Sequence, residues 1–216
     1  SVVRELLDNA IDAGSTEISV YIRDGGIKEI KVTDNGCGMS REDLEICFLP
    51  HATSKLETAE DLFSIRTMGF RGEALSSIAA SGRLEIVTST DGESGNEIAV
   101  DGGKITRFGA VKSNKGTVVT VRDLFCYLPA RKKFLKSTVS EGAGCRNVFI
   151  EKAAAFPDIS FRLVVDGKLS MFLPAGSMRE RIAAAYPALV PEKLYHEADG
   201  SGEGFSFHIY FPGVEY

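Results

Sequence analysis

The residues best suited to chemistry lie in the first stretch of the chain, from Arg4 to Gly14. At about 3.6 residues per helical turn, Glu5, Asn9 and Asp12 fall on one side of a helix, within roughly 60° of one another. The opposite side is apolar and consists of Val3, Leu6, Leu7, Ala10 and Ile11. Two carboxylates and a carboxamide beside a packed face suit a metal ion or a water molecule, although an ordinary polar helix face has the same composition.

A second candidate group follows a predicted strand, in the segment Asp34-Asn35-Gly36-Cys37-Gly38-Met39. A carboxylate at a strand end can accept a hydrogen bond from an exocyclic amine, and glycines let a flat ring approach the backbone. The alternative is an Asn-Gly turn beside a sheet. Lys115-Gly116-Thr117 opens a later strand, where Thr117 could place a hydroxyl in a pocket, although by itself this segment is a simple turn.

A third group is Gly69-Phe70-Arg71-Gly72-Glu73-Ala74-Leu75, in which glycines precede a predicted helix. Unpaired N–H groups and the positive dipole end of a helix N-terminus suit phosphate oxygens. The segment matches neither GxxxxGK[ST] nor a strand-linked GxGxxG, so it does not indicate those two nucleotide-binding folds. An ordinary glycine-rich helix entry is the alternative.

Length and composition bound the elements that must position these groups. A chain of 216 residues with 44% hydrophobic residues predicts a soluble globular protein of one domain, or one domain and part of another. No apolar run is long enough for a membrane span, and a net charge of −5 argues against indiscriminate nucleic-acid binding. The four cysteines form no CxxC pair, which favours reduced thiols in a cytosolic protein.

Hydrophobic periodicity and turn residues predict an α+β chain with sheet and helices in layers. A strand is predicted at 17–23, and a returning strand contains Ile30 and Val32. Further strands are predicted at 83–90, 97–101, 104–108, 117–122, 159–165, 169–173 and 205–211. Helices are predicted from the N-terminus to Gly14, and at 40–48, 59–65, 73–80, 130–136, 139–156 and 178–186. Pro174-Ala175-Gly176 is the best linker, which divides the chain into a domain at 1–175 and the start of another at 176–216.

In this order, the helix E-x-x-x-N-x-x-D-A-G, DxGxG, HATSK at 51–55, GFRGEAL and the GT strand start resemble the ATPases of the gyrase, heat-shock chaperone, histidine kinase and MutL superfamily. RELLDNAIDAG, DNGCGM, HATSK, GFRGEALSSIA and DLFCYLPARKKFL resemble, more specifically, the N-terminal ATPase region of MutL-type DNA mismatch-repair proteins, over roughly Ser1 to Leu173. The resemblance implies a two-layer sandwich of mixed sheet and helices, the Bergerat-type ATP-binding fold, followed by the start of an α/β transducer domain.

The resemblance also assigns roles in an ATPase that uses ATP and Mg²⁺. Glu5 is expected to be the general base for the water that attacks the γ-phosphate, and Asn9 to hold Mg²⁺, with Asp12 supporting the site through a water. Asp34 is expected to accept the adenine amino group together with Thr117 and a water. The adenine slot would be shaped by Gly36, Gly38 and Met39. The lid over the phosphates would consist of Thr53, Ser54, Lys55, Gly69, Phe70, Arg71, Gly72, Glu73, Ala74 and Leu75.

Partners follow from the same resemblance. Ordering of the lid by ATP is expected to drive N-terminal dimerisation, with a second copy or a paralogue, into a clamp around DNA. A mismatch-recognition protein is a further expected partner, in the cytoplasm or in a eukaryotic nucleus, with no membrane association. The basic residues Arg131, Lys132 and Lys133 are candidate DNA contacts, which Arg146 and Lys152 could extend. A solvated helix face is the alternative interpretation of this basic cluster.

Three departures from the family pattern affect the expected activity. A helix before Ser1 and a lysine from the second domain that reaches the γ-phosphate have no counterpart here, and Gly142-Ala143-Gly144 interrupts a helix that the family keeps. We therefore expect this stretch to bind nucleotide but to hydrolyse ATP poorly. Two other interpretations are an ATP-gated interaction module, in which switching rather than turnover matters, and another ATPase of the superfamily. A sensor kinase would need a phospho-accepting histidine helix upstream.

Overall fold

The computed structural model describes residues 1–49, 74–187 and 195–212. The strands are β1 (Glu17–Arg23), β2 (Glu29–Asp34), β3 (Arg83–Ser89), β4 (Gly95–Asp101), β5 (Lys104–Val111), β6 (Gly116–Arg122), β7 (Ser160–Val165), β8 (Lys168–Leu173), β9 (Tyr195–Gly202) and β10 (Phe205–Pro212). The helices are α1 (Val2–Asp12), α2 (Arg41–Ile46), α3 (Ala74–Ser81), α4 (Pro129–Lys132), α5 (Thr138–Ala155) and α6 (Met178–Ala185).

Eight of the strands form one mixed sheet in the order β5-β4-β3-β6-β2-β1-β7-β8. Strands β1 and β7 pair in parallel, and every other neighbouring pair in this sheet is antiparallel. Parallel pairing requires a crossover, which is supplied here by the long connection through β2 to β6 and helix α5. The sheet and its helices confirm the predicted α+β fold class.

One face of the sheet is buried under the helices. Helix α1 contributes Val3, Leu6, Leu7 and Ala10 to the core, and α5 contributes Phe149 and Ala153. The facing strand residues are Ile18, Val20, Ile22, Ile30, Val32, Leu84, Ile86, Ile98, Val100, Val121, Phe161 and Leu163. The alternating burial of β1 and β2 follows from the period of two in a strand with one covered face.

The opposite face of the sheet carries a ladder of charged residues across four strands and the edge strand β5. Arg122 is bound by Glu29 at 2.9 Å and by Glu85 at 2.7 Å. Arg107 pairs with Glu85 at 2.5 Å and with Glu97 at 3.0 Å. These pairs of opposite charge keep this face polar and attach the outer strands to the middle of the sheet.

Helix α5 passes close to the β1–β2 turn because Gly25 has no side chain there. A Cβ on Gly25, whose φ is +66°, would lie 2.3 Å from the carbonyl oxygen of Thr138. A Cβ on Gly142 would lie 3.5 Å from the Cα of Gly25, an ordinary contact distance, and α5 is continuous through Gly142. Of the two glycines that looked like an interruption of this helix, Gly142 therefore lies at its contact with the turn, whereas a Cβ on Gly144 would meet no atom within 4 Å.

Helix α6 packs against α5 and β8 through a buried arginine. The guanidinium of Arg181, 1% exposed, donates hydrogen bonds to the carbonyls of Ala153, Phe156, Pro157, Ile159, Leu173 and Pro174. Ser177 and Glu180 form a reciprocal capping box at the start of α6. The division at residues 175 and 176 stays a prediction, and the packing of the first sheet reaches Ala185.

Most predicted elements are found within one to three residues of their observed ends. Strand β9, which pairs antiparallel with β10, was missed because its run Tyr195–Gly202 has few β-branched residues. A basic helix was predicted at 130–136, whereas the observed helix α4 is shorter and ends at Lys132. The predicted helix at 59–65 lies outside the described residues.

Candidate functional site

Helix α1 places the predicted polar row at the border of the core. Its apolar side is buried, and Glu5, Asn9 and Asp12 are each half-buried. Gly14, at φ +69°, ends the helix as predicted. Within the described residues, the side chains of Glu5 and Asn9 make no hydrogen bond or ion pair. Two partly desolvated polar groups with no partner in the described part of the chain are available to a ligand.

Asp34 ends β2 on the buried face of the sheet. Its Oδ1 accepts hydrogen bonds from the backbone N–H of Gly36 at 2.9 Å, from that of Thr117 at 3.3 Å and from the Ser15 hydroxyl at 3.3 Å. Burial raises the pKa of this carboxyl above its ordinary value, against the lowering effect of the three hydrogen bonds. These bonds converge on Oδ1, so Oδ2 is the oxygen that can serve a ligand.

The pairing register aligns Asp34 with two threonines across the sheet. Asp34 is opposite Thr117 on β6, and Thr117 is opposite Thr88 on β3. The hydroxyls of Thr88 and Thr117 are 3.0 Å apart and both side chains are buried. The row continues the core face that holds Val32 and Ile86, so the polar site begins where the apolar core stops.

Glycines allow the loop after β2 to lie directly on its neighbours. A Cβ on Gly36 would stand 2.7 Å from Ala13 and Ser15, and one on Gly38, at φ +72°, would stand 2.2 Å from the carbonyl oxygen of Ser89. Gly116, at φ +113°, brings the start of β6 against the backbone of Asp34. Larger side chains would push these backbones apart and distort the setting of Asp34.

Two residues that sequence analysis missed hold the site together. The Ser15 hydroxyl donates to the carbonyl of Ala10 at 2.6 Å, as well as to Asp34, and so joins the end of α1 to the end of β2. Thr88 accepts the N–H of Met39 at 2.9 Å and donates to the carbonyl of Gly116 at 3.1 Å. A lone serine and a strand threonine carry no recognisable signal, because each is defined by partners far along the chain.

The structure thus places the ends of α1, β2, β3 and β6 together. Asn9, Asp34, Gly36, Gly38, Met39 and Thr117 all lie on these ends or on the loop between them. Ala74 and Leu75 form the first turn of α3. The other predicted lid residues lie outside the described residues, namely Thr53, Ser54, Lys55, Gly69, Phe70, Arg71, Gly72 and Glu73.

The donor set on α1 fits a magnesium ion that keeps most of its waters. Within the described residues, no group of three or more His, Cys, Asp or Glu side chains is placed to enclose a metal. A carboxamide oxygen from Asn9 with a nearby carboxylate is the sparse kind of oxygen set through which Mg²⁺ is usually bound together with phosphates.

The basic residues lie apart from this site, on the surface. Arg131 and Lys132 end α4, Lys133 follows, and all three are exposed, as is the neighbouring Phe134 at 85%. Lys152 does not extend this cluster, as had been considered from the sequence, because its Nζ is paired with the buried carboxylate of Asp8 at 2.5 Å.

Comparison with known proteins agrees with this arrangement. The profile of the family described as histidine kinase-, DNA gyrase B- and HSP90-like ATPases matches residues 1–118. The chain belongs to this family of ATPases.

Three relatives within the family show what this chain is similar to. The DNA mismatch repair protein MutL of Staphylococcus aureus (strain Newman) is 45% identical over 211 residues, which are 97% of this chain and 31% of that protein. The ADP complex of the Aquifex aeolicus MutL ATPase domain superposes with a TM-score of 0.72 at 28% identity, over 92% of this chain and 70% of that chain. The N-terminal domain of a DNA repair protein superposes with a TM-score of 0.75 at 31% identity, over 92% of this chain and 59% of that chain.

These matches confirm the predicted resemblance to a MutL-type ATPase region. The chain spans about a third of the length of the curated relatives, at 31%. No helix among the described residues is long and apolar enough to cross a membrane. The predicted cytoplasmic localisation stays a prediction.

Proposed function

We propose that this chain binds ATP and catalyses its hydrolysis to ADP and phosphate, as the ATP-dependent part of a DNA mismatch-repair protein. The observation that carries the proposal is Asp34, a partly buried carboxylate with Oδ1 held by three protein hydrogen bonds and Oδ2 left for a ligand. Family membership and 45% identity to a mismatch-repair protein support the wider role.

Adenine recognition would depend on Asp34 Oδ2, which accepts a hydrogen bond from the exocyclic amine of the base. Thr117, one strand away, would complete the contact through a water. Gly36, Gly38 and Met39 would form the wall of the slot, and the two glycine backbones lie directly against Ser15 and Ser89. A charged acceptor in a partly desolvated setting makes this hydrogen bond stronger than it would be in water.

Hydrolysis would depend on Glu5 as the general base for the attacking water. A carboxylate one turn from the ligand that holds the metal is suitably placed for that role. Asn9 would hold Mg²⁺, which, when bound, neutralises charge on the phosphates. Asp12 would orient a water at the same edge.

Thr53, Ser54 and Lys55, together with the residues from Gly69 to Leu75, would close over the phosphates, with backbone N–H groups at the start of α3 directed to them. We propose that closure promotes pairing with a second copy or a paralogue, and that a mismatch-recognition protein is a further partner. A γ-phosphate that orders a segment is a known kind of switch. The chain by itself is expected to hydrolyse ATP slowly.

Two substitutions in α1 test the ATPase assignment and separate it from the ATP-gated module. Glu5→Ala should leave the Kd for ATP nearly unchanged and abolish turnover in the full-length gene product. Asn9→Ala should remove the Mg²⁺-dependent part of ATP affinity. Loss of mismatch repair in cells with Glu5→Ala supports a role for turnover, whereas full repair by that hydrolysis-dead protein would establish switching alone as the function. ATP binding that both variants retain with unchanged Mg²⁺ dependence would refute the assignment.

DNA contact is proposed at Arg131, Lys132 and Lys133. Replacing all three by glutamine should weaken DNA binding. The plot of the logarithm of affinity against the logarithm of salt concentration should also become less steep, because fewer counterions are released. Lys104→Gln, at an exposed basic residue on β5 outside this cluster, is a single-site control. An unchanged salt slope would assign the cluster to a solvated surface.

A further inference from the structure

Asp8 is an acidic residue on the side of α1 that packs against the protein. It is 7% exposed, and its carboxylate is in contact with Lys152 Nζ on α5 at 2.5 Å. One turn earlier, Arg4 pairs with Glu151 at 2.7 Å, but these side chains are 41% and 56% exposed. The same two helices are thus joined by one buried and one exposed ion pair.

The position of Asp8 in α1 connects this pair to the candidate site. Asp8 directly precedes Asn9 and lies three residues after Glu5, or about 60° from it around the helix. The apolar contacts of α1 bury area but are not directional, so they permit small rotations and shifts. A largely buried ion pair holds two particular atoms at a short distance, and a displacement that separates them leaves a charge without its partner away from water.

Lys152 stands on a part of α5 that is itself held in place. Arg181 donates hydrogen bonds to the carbonyls of Ala153 and Phe156, just after Lys152, at 2.5 Å and 2.9 Å. Phe149, one turn before, is buried edge-to-face against Phe161 of β7. Lys152 is therefore a fixed reference point against which α1 can be aligned.

We propose that the Asp8–Lys152 ion pair fixes the rotation of α1 and thereby sets the positions of Glu5 and Asn9. Asp8 and Lys152 are positioning residues that need not touch the nucleotide. The inference rests on the proposed function, in which Glu5 and Asn9 act on the phosphate end of ATP. The main effect of the Asp8–Lys152 pair is then on the rate of turnover and not on the stability of the fold.

The decisive variant replaces both charges with apolar groups of similar size, Asp8→Leu/Lys152→Met. Replacing a buried ion pair in this way commonly preserves or raises stability, whereas removing one partner leaves an unpaired buried charge. In the full-length gene product, we expect a urea midpoint at or above that of the wild type. Turnover should fall by roughly 10- to 100-fold, because small misplacements of reacting groups have effects of this size. The Kd for ATP without Mg²⁺ should change by less than about threefold, since Asp34 is untouched.

The exposed pair supplies a matched control on the same two helices. Arg4→Gln/Glu151→Gln should change turnover by less than about twofold, because exposed ion pairs are weak. Lys152→Arg keeps the charge and should retain most of the activity. If the apolar double variant does not fold, Asp8→Glu and Asp8→Asn are compared at equal folded fraction. Higher turnover with Asp8→Glu supports positioning, and equal turnover contradicts it.

The outcomes separate this inference from the proposed function. Absence of ATP binding by the wild type would remove the function itself. Wild-type turnover in a folded Asp8→Leu/Lys152→Met variant would overturn the positioning role and leave the ATPase intact. Loss of turnover in that variant, with stability and Mg²⁺-free affinity retained, would establish it.

Discussion

Replacing Asp34 by asparagine changes one atom of the proposed adenine site and keeps its shape. The three hydrogen bonds from Gly36, Thr117 and Ser15 all end on Oδ1. In Asp34→Asn the amide oxygen can keep that place, because it also accepts hydrogen bonds, so the NH₂ group takes the place of Oδ2. The atom that faces the base then becomes a donor instead of an acceptor.

The magnitude follows from the hydrogen bond that is lost. A hydrogen bond to a charged group contributes about 1.5–3 kcal/mol, which corresponds to a roughly 10- to 150-fold weaker Kd for ATP. The folded state should not weaken, because burial raises the pKa of Asp34 and the neutral amide avoids that desolvation cost. The free energy of unfolding of Asp34→Asn at pH 7 should equal or exceed that of the wild type.

Isothermal titration with ATP and with inosine triphosphate gives the assay an internal reference. Inosine carries an oxygen where adenine carries the amine, so the wild type should prefer ATP, and Asp34→Asn should lose or reverse that preference. Urea unfolding on the same samples checks the fold. Equal affinities of the wild type for the two nucleotides, or an Asp34→Asn variant that still prefers ATP, would refute the placement of adenine at Asp34.

Three further predictions concern the backbone, the pH dependence and the packing of α6. Gly38→Ala should destabilise the loop by about 1–3 kcal/mol and weaken nucleotide binding, because the residue has φ +72° and its Cβ would stand 2.2 Å from the Ser89 oxygen. Gly14→Ala, at φ +69° with no atom within 4 Å, is the control for backbone strain alone in the same calorimetric and binding assays. ATP affinity should be constant above the raised pKa of Asp34 and fall as pH drops through it. The folded state holds the Asp34 proton more tightly than the unfolded state does. The stability of the wild type relative to Asp34→Asn should therefore decrease as pH rises from the ordinary pKa of the unfolded state towards the raised pKa of the folded state. A difference in urea midpoint that does not depend on pH would contradict this. Arg181→Met should cost at least about 3 kcal/mol in urea unfolding, because six carbonyls lose a donor, whereas Arg179→Met on the same helix, with a 3.9 Å exposed ion pair, should cost less than about 1 kcal/mol.

The local elements of the site could be predicted because their signals are local. The apolar and polar sides of α1 follow from residues three and four apart, and Gly14 ends the helix at a positive φ. The alternation of Ile18, Val20 and Ile22 predicted a strand from residue 17 to residue 23, which is the observed extent of β1. The order of the motifs along the chain identified the family.

The pairing that builds the site could not be predicted in the same way. Thr88 is an unremarkable strand residue until β3 lies beside β6, where it bonds Thr117 and the loop at Met39. Gly142 looked like a break in α5, whereas it faces Gly25 at the β1–β2 turn. Long-range register and close backbone contact are decided by the packing of the whole sheet, and no short window of sequence contains them.

Charged residues show the difference most clearly. Lys152 was grouped with exposed basic residues by its type, yet its side chain is only 14% exposed and is paired with Asp8, 144 positions earlier in the chain. Arg181, in an ordinary polar helix by sequence, is enclosed by six carbonyls. The sequence by itself determined the helix that carries Glu5 and Asn9, the strand end that carries Asp34, and the family. Only the tertiary structure decided which charges are buried and which groups meet, because burial and pairing depend on neighbours that are distant in sequence.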